Sequence, residues 1–133
     1  MGIVADGLRS SLLISASGME AQAMRLRHVS ENIANVDTPG YRRKTISFEP
    51  AEQGAPEGAV AAGPVRLDQR EPSRIYDPGN PLADSEGYYA GSNVDLMTEI
   101  ADAREAQRSY EANLRMFDQT RQMSQNLLDL LRR

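Results

Sequence analysis

The side chains that most often carry catalysis or bind metals are scarce in this sequence. It has no cysteine and a single histidine, His28. Disulfides, thiolate zinc sites, cysteine nucleophiles and multi-histidine metal sites are therefore excluded. As a metal ligand or general base, His28 has no companion residues, and we interpret it as a structural or surface residue inside a helical pattern. We predict no enzymatic activity, no cofactor and no metal site.

Carboxylates gather around one turn-rich segment, YDPGNPLADSEG (residues 76–87). Asp77, Asp84 and Glu86 could supply oxygen ligands for calcium, but calcium loops place their ligands at regular spacing around a glycine. Here two prolines interrupt the segment, and its spacing does not match an EF-hand. We therefore predict a turn rather than an ion site, formed by Tyr76, Asp77, Pro78, Gly79 and Pro81.

A basic triplet, Arg42–Lys44, follows Tyr41 and raises the question of nucleic acid, where cations hold phosphates and aromatic rings stack on bases. The chain as a whole is acidic, with 15 Lys and Arg against 19 Asp and Glu and a formal net charge of -4. It has no glycine-rich phosphate loop. We expect no nucleic-acid binding, because a solvated face or a contact with an acidic partner explains the triplet better.

Membrane and secretion signals are also missing from the pattern. No apolar run approaches the roughly 18–20 residues that span a bilayer. The run Leu12–Ile14 is too short for the apolar region of a secretory signal. We expect no insertion into a membrane, and either a cytoplasmic location or export by a route that needs no cleaved signal.

Two long helices are predicted to position these residues, one at each end of the chain. Their side chains recur at alternating spacings of four and three, the a/d rhythm of a coiled coil. In the first helix, from about residue 7 to 36, the stripe contains Leu8, Leu12, Ser15, Met19, Gln22, Leu26, Val29, Ile33 and Val36. In the second, from about residue 93 to 131, it contains Leu96, Ile100, Ala103, Gln107, Tyr110, Leu114, Phe117, Arg121, Ser124, Leu128 and Leu131. The segment Ser92–Asp95 resembles a capping box at the start of this helix.

The middle of the chain has a different character, with six of the seven prolines between Pro50 and Pro81. Alternating and β-branched residues predict short strands at 43–48, 65–68, 73–76 and 87–90, and a flexible Gly/Ala/Pro loop near 50–64. The predicted fold class is mainly α, with two long terminal helices that pair as a coiled coil and a small β-rich insert. We assign 1–37 to the first helix of the coiled-coil domain, 38–92 to the insert and 93–133 to the second helix.

The narrow stripes and thin insert predict incomplete burial in an isolated chain, because small chains bury proportionally less surface. Exposed apolar stripes normally mark partner surfaces. We expect the isolated chain to be only partly ordered and to pack against other subunits through a seam of large side chains: Leu8, Leu12, Met19, Leu26, Ile33, Leu96, Ile100, Tyr110, Leu114, Phe117, Leu128 and Leu131.

The segment SENIANVDTPGYRRK (residues 30–44) joins the first helix to the insert. Pro39 disfavours helical geometry at Thr38, so the helix must end by about residue 36 or 37. Pro39 and Gly40 fit the two central positions of a type II turn. Helix termination and the turn leave three polar residues without an explanation: Asn32, Asn35 and Tyr41.

This segment closely resembles the signature of the bacterial flagellar axial proteins, which form the rod, the hook and the hook-associated structures. In that family the N-terminal helix ends in an Asn-x-x-Asn-x-x-Thr-Pro-Gly-Tyr segment, matched here by Asn32, Asn35, Thr38, Pro39, Gly40 and Tyr41. The short chain and the segments RIYDPGNPLADSEGYY, SNVD and RSYEAN are similar to those of proximal rod proteins. Departures are Asn80, where histidine is common, and the low-complexity stretch 53–63.

The resemblance implies a structural subunit of the flagellar basal body. Such proteins are exported unfolded by the flagellar type III apparatus without a cleaved signal. They assemble helically, with themselves and with other proximal and distal rod proteins and the rod-to-ring adaptor, into a hollow rod in the periplasm. That rod transmits motor torque to the hook and lets export substrates pass. The alternatives are another rod subunit or basal-body adaptor of this family, or a cytoplasmic helical adaptor.

Overall fold

Two long helices run antiparallel to each other and carry the rest of the chain. The computed structural model describes residues 2–132, in which α1 spans Gly2–Ala34 and α2 spans Leu96–Leu131. Gly18 lies against Asn113 and Arg25 pairs with Asp102, so the helices run in opposite directions. Neither helix is long and apolar enough to cross a membrane. The predicted fold class, mainly α with a small strand-containing insert, is confirmed; residues 1 and 133 of the predicted ranges lie outside the described part.

The start of α2 differs from the predicted capping box. Asp95 is the N-cap, and its carboxylate accepts a hydrogen bond from the backbone N–H of Met97 at 3.0 Å. Ser92 lies before the helix and donates instead to the carbonyl of Val36 at the end of α1, while accepting from the N–H of Val94. The serine therefore joins the ends of the two helices, and Asp95 caps α2.

The two helices contact each other mostly through small and polar side chains. Burial follows a 3–4 rhythm along both helices, as in a coiled coil. On α1 the contacting positions are Leu8, Ser11, Ser15, Gly18, Gln22, Arg25, Val29 and Asn32. On α2 they are Glu99, Ala103, Ala106, Tyr110, Asn113, Phe117, Thr120, Ser124 and Leu127.

Only every second residue of the predicted stripes lies in this contact. Leu8, Tyr110 and Phe117 lie in it. Seven other large side chains lie one residue beyond a contact position, of which Leu12, Met19 and Leu26 are half-buried and Ile33, Ile100, Leu114 and Leu128 are exposed. Small residues occupy the contact because they let the backbones approach closely; at Gly18, even a methyl group would come within 2.8 Å of the Asn113 amide carbon. With the contact residues labelled a and d of a heptad repeat, each of these seven residues follows a d residue and is an e position. In an antiparallel pair, the e positions of both helices lie on the same side. We call that side the open flank; it comprises Leu12, Met19, Leu26, Ile33, Ile100, Leu114 and Leu128.

The insert contains three separate antiparallel strand pairs. The strands are β1 Lys44–Thr45, β2 Phe48–Pro50, β3 Val60–Ala62, β4 Arg66–Leu67, β5 Arg74–Tyr76 and β6 Tyr88–Ala90. Their pairs are β1 with β4, β2 with β3 and β5 with β6. Each predicted strand region contains a strand, although the predicted span 43–48 is divided between β1 and the start of β2.

The segment near 50–64, predicted as a flexible loop, forms a hairpin that lies on α1. Phe48 pairs with Ala62, and the N–H of Val60 donates to the hydroxyl of Ser17 at 3.0 Å. Ala59 is buried there. Small side chains let the hairpin approach the helix, a role that composition alone does not reveal. β3 lies near Ala21, so the insert covers the side of the helix pair opposite the open flank.

Gly18 provides a test of the close helix contact. Alanine at Gly18 and at Gly7 adds the same helix propensity, about 1 kcal/mol, but a methyl group at Gly7 meets nothing within 4 Å. We expect the unfolding free energy of Gly18→Ala to lie about 1–3 kcal/mol below that of Gly7→Ala in urea titrations, because overpacking is costly. Asn113→Ala should remove most of this difference. Equal stabilities of the two glycine variants would contradict the packing described here.

Candidate functional site

The turn after α1 brings the insert back against both helix ends. The N–H of Tyr41 donates to the carbonyl of Thr38 at 3.1 Å, and Gly40 has a φ of 74°. These features, with Pro39 before the glycine, are those of the predicted type II turn. The N–H of Gly40 then donates to the carbonyl of Gly91 at 3.1 Å, which attaches the turn to the chain entering α2.

Asn32 lies at the centre of this junction and is fully buried, with 0% of its surface exposed. Its amide nitrogen donates to the carbonyl of Lys44 at 2.9 Å and to the carboxylate of Glu99 at 3.2 Å. Its amide oxygen accepts from the hydroxyl of Tyr41 and from the N–H of Lys44, both at 2.9 Å. All four hydrogen bonds available to an asparagine amide are made, so α1, the turn, β1 and α2 are joined at one side chain.

Glu99 brings a carboxylate into the same buried place, and Arg43 compensates its charge. Glu99 is also 0% exposed, and the Nε of Arg43 donates to its second oxygen. The guanidinium also contacts Asp102 at 2.5 Å and Asp68 at 3.7 Å. A buried carboxylate is tolerated only when it is paired and hydrogen-bonded, and Arg43 and Asn32 together meet that requirement.

Asn93 repeats the role of Asn32 on the other side of the junction. Its amide oxygen accepts from the N–H of Arg43 at 2.6 Å. Its amide nitrogen donates to the carbonyls of Asp68 and Arg70 at 2.9 and 3.2 Å. Two buried asparagines therefore hold the strands of the insert against the ends of both helices. We call Asn32, Tyr41, Arg43, Lys44, Asn93 and Glu99 the junction network.

Charges at the edge of the network reinforce it. Lys44 donates to Glu31 at 2.8 Å, and this hydrogen bond lowers the pKa of the Glu31 carboxyl and raises that of the Lys44 ammonium. Burial raises the pKa of the Tyr41 hydroxyl. The hydrogen bond from Arg70 lowers the pKa of Asp68. These shifts favour the charged, paired forms of Glu31, Lys44 and Asp68 and the neutral form of Tyr41.

The other signature residues lie around this network rather than inside it. Asn35 donates to the carbonyl of Glu31 at 2.8 Å, and its oxygen accepts from the hydroxyl of Thr38 at 3.0 Å. Sequence reasoning singled out Asn32, Asn35 and Tyr41 but missed the part played by Glu99. Acids are common in the first turn of a helix, where the helix dipole stabilises them at the surface. The position of Glu99 therefore did not indicate that it is buried.

The predicted insert turn forms a second, separate structure. The N–H of Asn80 donates to the carbonyl of Asp77 at 3.0 Å, with Pro78 and Gly79 at the centre of the turn. Tyr76 packs on Tyr88 with ring centres 5.1 Å apart, and Arg74 lies 4.7 Å above the Tyr88 ring. Within residues 2–132, no group of three or more acidic, histidine or cysteine side chains is placed to hold a metal.

The polar groups of the junction network satisfy one another. Its groups donate to and accept from one another, and its charged members are paired. Directional hydrogen bonds fix the angle between the helix pair and the insert, since each of them weakens when the geometry changes. The junction network is therefore a rigid joint.

Asn32→Asp tests the joint directly. The aspartate keeps the shape and the accepting oxygen but loses both donated hydrogen bonds and adds a charge beside Glu99. We expect a loss of about 3–5 kcal/mol in unfolding free energy at neutral pH. Asn35→Asp, which removes one hydrogen bond at a half-buried position, is the matched control and should cost about 1 kcal/mol. Similar losses of unfolding free energy in the two variants would show that the hydrogen bonds of Asn32 contribute no more to stability than those of Asn35.

The insert turn should respond to acid through Asp84. Its carboxylate accepts from the backbone N–H groups of Tyr88 and Glu86 at 3.0 and 2.9 Å. The hydrogen bond from Tyr88 is the main cause that lowers its pKa below the ordinary aspartate value. The stabilisation is complete above the ordinary value and is lost as the pH falls through the lowered pKa. NMR titration should show this carboxyl ionising at lower pH than free aspartate, with a coupled shift of the Tyr88 amide that Asp84→Asn abolishes. An ordinary pKa would contradict the hydrogen bonds.

Comparisons with known proteins agree with this architecture. The family described as flagella basal body rod protein matches residues 12–42, and the family described as flagellar basal body rod FlgEFG protein C-terminal matches residues 85–130. The flagellar basal-body rod protein FlgC of Agrobacterium fabrum is 44% identical over 96% of this chain and 97% of its own length. The FlgC proteins of Salmonella typhimurium and Bacillus subtilis are 35% and 32% identical over 88% and 90% of this chain, and over 92% and 95% of their own lengths. The chain therefore belongs to the family of flagellar basal-body rod proteins named FlgC.

Proposed function

We propose that this chain is a non-enzymatic structural subunit of the proximal rod. It assembles helically, with itself and with other rod proteins, into a shaft that transmits motor torque and lets export substrates pass. The observation that carries the proposal is the open flank on a chain whose relatives are named rod proteins. The members of the predicted seam that lie on the open flank keep the proposed role of subunit contact, whereas Leu8, Tyr110 and Phe117 pack within the chain.

The open flank has the properties of a surface that a neighbouring subunit covers. Ile100 and Leu114 are 42% and 40% exposed, and Ile33 is 37% exposed. These large side chains lie on the same side of the helix pair, away from the insert. Burial of apolar surface stabilises by about 25 cal/mol per Å², so these side chains contribute strongly when another helix pair packs on them. On α2 the polar residues Gln107 and Arg121 lie at the same spacing between them. Leu96 and Leu131 are also exposed, near the two ends of α2.

The core of the chain is consistent with export in an unfolded state. Within residues 2–132, the fully buried apolar side chains are small: Ala21, Val29, Ala59 and Ala106. A core of this kind contributes little to the free energy of folding, so unfolding for passage through the flagellar type III apparatus costs little. Assembly then adds the apolar burial that the isolated chain lacks. The rod that results lies in the periplasm, and its subunits reach it without a cleaved signal.

The domain assignment follows the same division of roles. The segments 1–37 and 93–133 form the inner coiled-coil domain, which packs on neighbouring subunits, and 38–92 forms the connecting insert. The junction network holds the two together, so torque applied to one is transmitted to the other.

Complementation of a deletion strain tests the proposal. Cells without the gene should lack rods, hooks and filaments, and the wild-type gene should restore them. Leu114→Asp, which charges the open flank, should reduce the yield of hook–basal bodies about tenfold or more. Arg115→Asp lies next to it but outside the open flank and is the matched control; it should assemble nearly normally.

Electron microscopy of isolated basal bodies and swimming in soft agar provide the measurements. Normally flagellated deletion cells would disprove the rod function. Equal assembly of the two aspartate variants would instead show that the open flank is not the subunit contact, provided that both purified chains melt at similar temperatures.

A further inference from the structure

A second stripe of exposed side chains runs along residues 112–130 of α2. Its members follow one another at alternating spacings of four and three, and none of them is charged: Ala112, Met116, Gln119, Met123, Asn126 and Leu130. The three large ones, Met116, Met123 and Leu130, are 51–62% exposed; we call them the methionine ridge. Charged residues make up 26% of the chain. A charge-free stripe with methionines has the composition of the core of an interface.

The methionine ridge lies on the side of the helix pair opposite the open flank. Met116 and Met123 each precede a contact residue, whereas the members of the open flank each follow one. These g positions of an antiparallel pair lie away from the e positions. On this side the insert packs beside Ile14 and Ala21 of α1. Because the helices are antiparallel, the ridge continues past the insert toward the end of α2.

One stripe of α1 is also free of charge over a similar length. It runs at the same alternating spacings through Leu12, Ala16, Met19, Ala23, Leu26, Ser30 and Ile33. The large members belong to the open flank, and the three between them are small. In helix packing, large side chains spaced seven residues apart fit beside small ones that recur at the same spacing. The methionine ridge has that spacing, and methionine adapts to irregular surfaces.

The α2 half of the open flank does not offer this match. The stripe that holds Ile100 and Leu114 also contains four charged residues: Arg104, Glu111, Asp118 and Arg121. A twofold contact between two open flanks would bring these charges to the interface, where removing them from water is costly. Such a contact also closes a dimer, whereas a contact between two different surfaces of one chain repeats from copy to copy and builds an open helix.

We propose that the methionine ridge of one subunit packs on the α1 half of the open flank of a second copy of this chain. The inference rests on the proposed function, because it names the neighbouring surface that covers the open flank. Subunits that share one orientation place α2 of one copy antiparallel to α1 of the next. In that arrangement Met123 lies beside Ala23, with Met116 beside Ser30 and Leu130 beside Ala16. The contact extends over about 21 Å of helix.

Disulfide formation tests the contact directly, because the chain has no cysteine of its own. In isolated hook–basal bodies, the full chain with both Ala23→Cys and Met123→Cys should form dimers and longer chains on mild oxidation, measured on non-reducing gels. One copy cannot close this bridge by itself. Because Gly18 faces Asn113, positions 23 and 123 of one chain lie about 22 Å apart along the helix axis, and a disulfide needs Cα atoms within about 7 Å.

The matched control for this experiment combines Ala23→Cys with Gln122→Cys. Gln122 is exposed and adjacent to Met123 but lies outside the ridge, so this pair should give little disulfide-linked dimer.

An exchange of large and small side chains separates the contact from a role in the fold. Ala23→Met should lower the yield of hook–basal bodies in the complemented deletion strain about tenfold, because it overfills the space that Met123 occupies. The melting temperature of the full chain should not change, since Ala23 is exposed. Adding Met123→Ala should recover most of the yield. Ala101→Met, at an exposed alanine of α2 outside both stripes, is the control and should assemble normally.

Several results would overturn the proposal. One is the absence of dimers from the Ala23 and Met123 pair, or as many dimers from the Gln122 control. Another is normal assembly of Ala23→Met, or a double variant that assembles no better than Ala23→Met alone. A lower melting temperature for Ala23→Met would place that side chain in the chain's own packing and would also count against the contact. Each of these results leaves the rod function intact, since the wild-type gene restores rods in the same strain.

Discussion

The buried carboxylate of Glu99 is the constraint on which the rest of the structure depends. It must meet Asn32 on α1 and Arg43 from the insert, since an unpaired charge at that depth would cost several kcal/mol. This requirement sets the rotation of α2, because the side of the helix that carries Glu99 has to face α1. Ile100, the next residue, is then turned to the flank. The polar joint thus determines where the apolar surface lies.

Contacts within the chain and the contacts proposed between chains use different physical interactions. Within the chain, small residues such as Gly18 and Ala106 allow close approach, and hydrogen bonds of Asn32 and Asn93 select one geometry. On the open flank, large side chains such as Leu114 are available for non-directional apolar burial. This division suits the export and assembly proposed above, because most of the apolar burial would take place when subunits assemble.

The sequence predicted the helices, the type II turn at Pro39-Gly40 and the regions of most strands, since these depend on local chemistry. At every second position of each predicted stripe, the residue chosen is the one that follows the residue in the helix contact. The stripe containing Ile100 and the one containing Glu99 share half their members, and hydrophobicity favoured the former. What decides between them is the long-range pairing of Glu99 with Asn32, which no local pattern encodes. The hairpin at β2 and β3 was missed for a related reason, because its alanines pack on a distant helix.

The polar composition of the junction network suits the structural role proposed for this chain. Apolar side chains can slide past one another with little change in energy, because dispersion and burial do not depend strongly on direction. Hydrogen bonds weaken steeply when their angles change, and those to ionised groups are about twice as strong as neutral ones. A junction made of Leu and Val would be as stable, or more so, but it would let the insert rotate against the helix pair. In the proposed rod, the stability lost by burying Asn32, Glu99 and Arg43 is offset by a fixed angle between the insert and the helix pair.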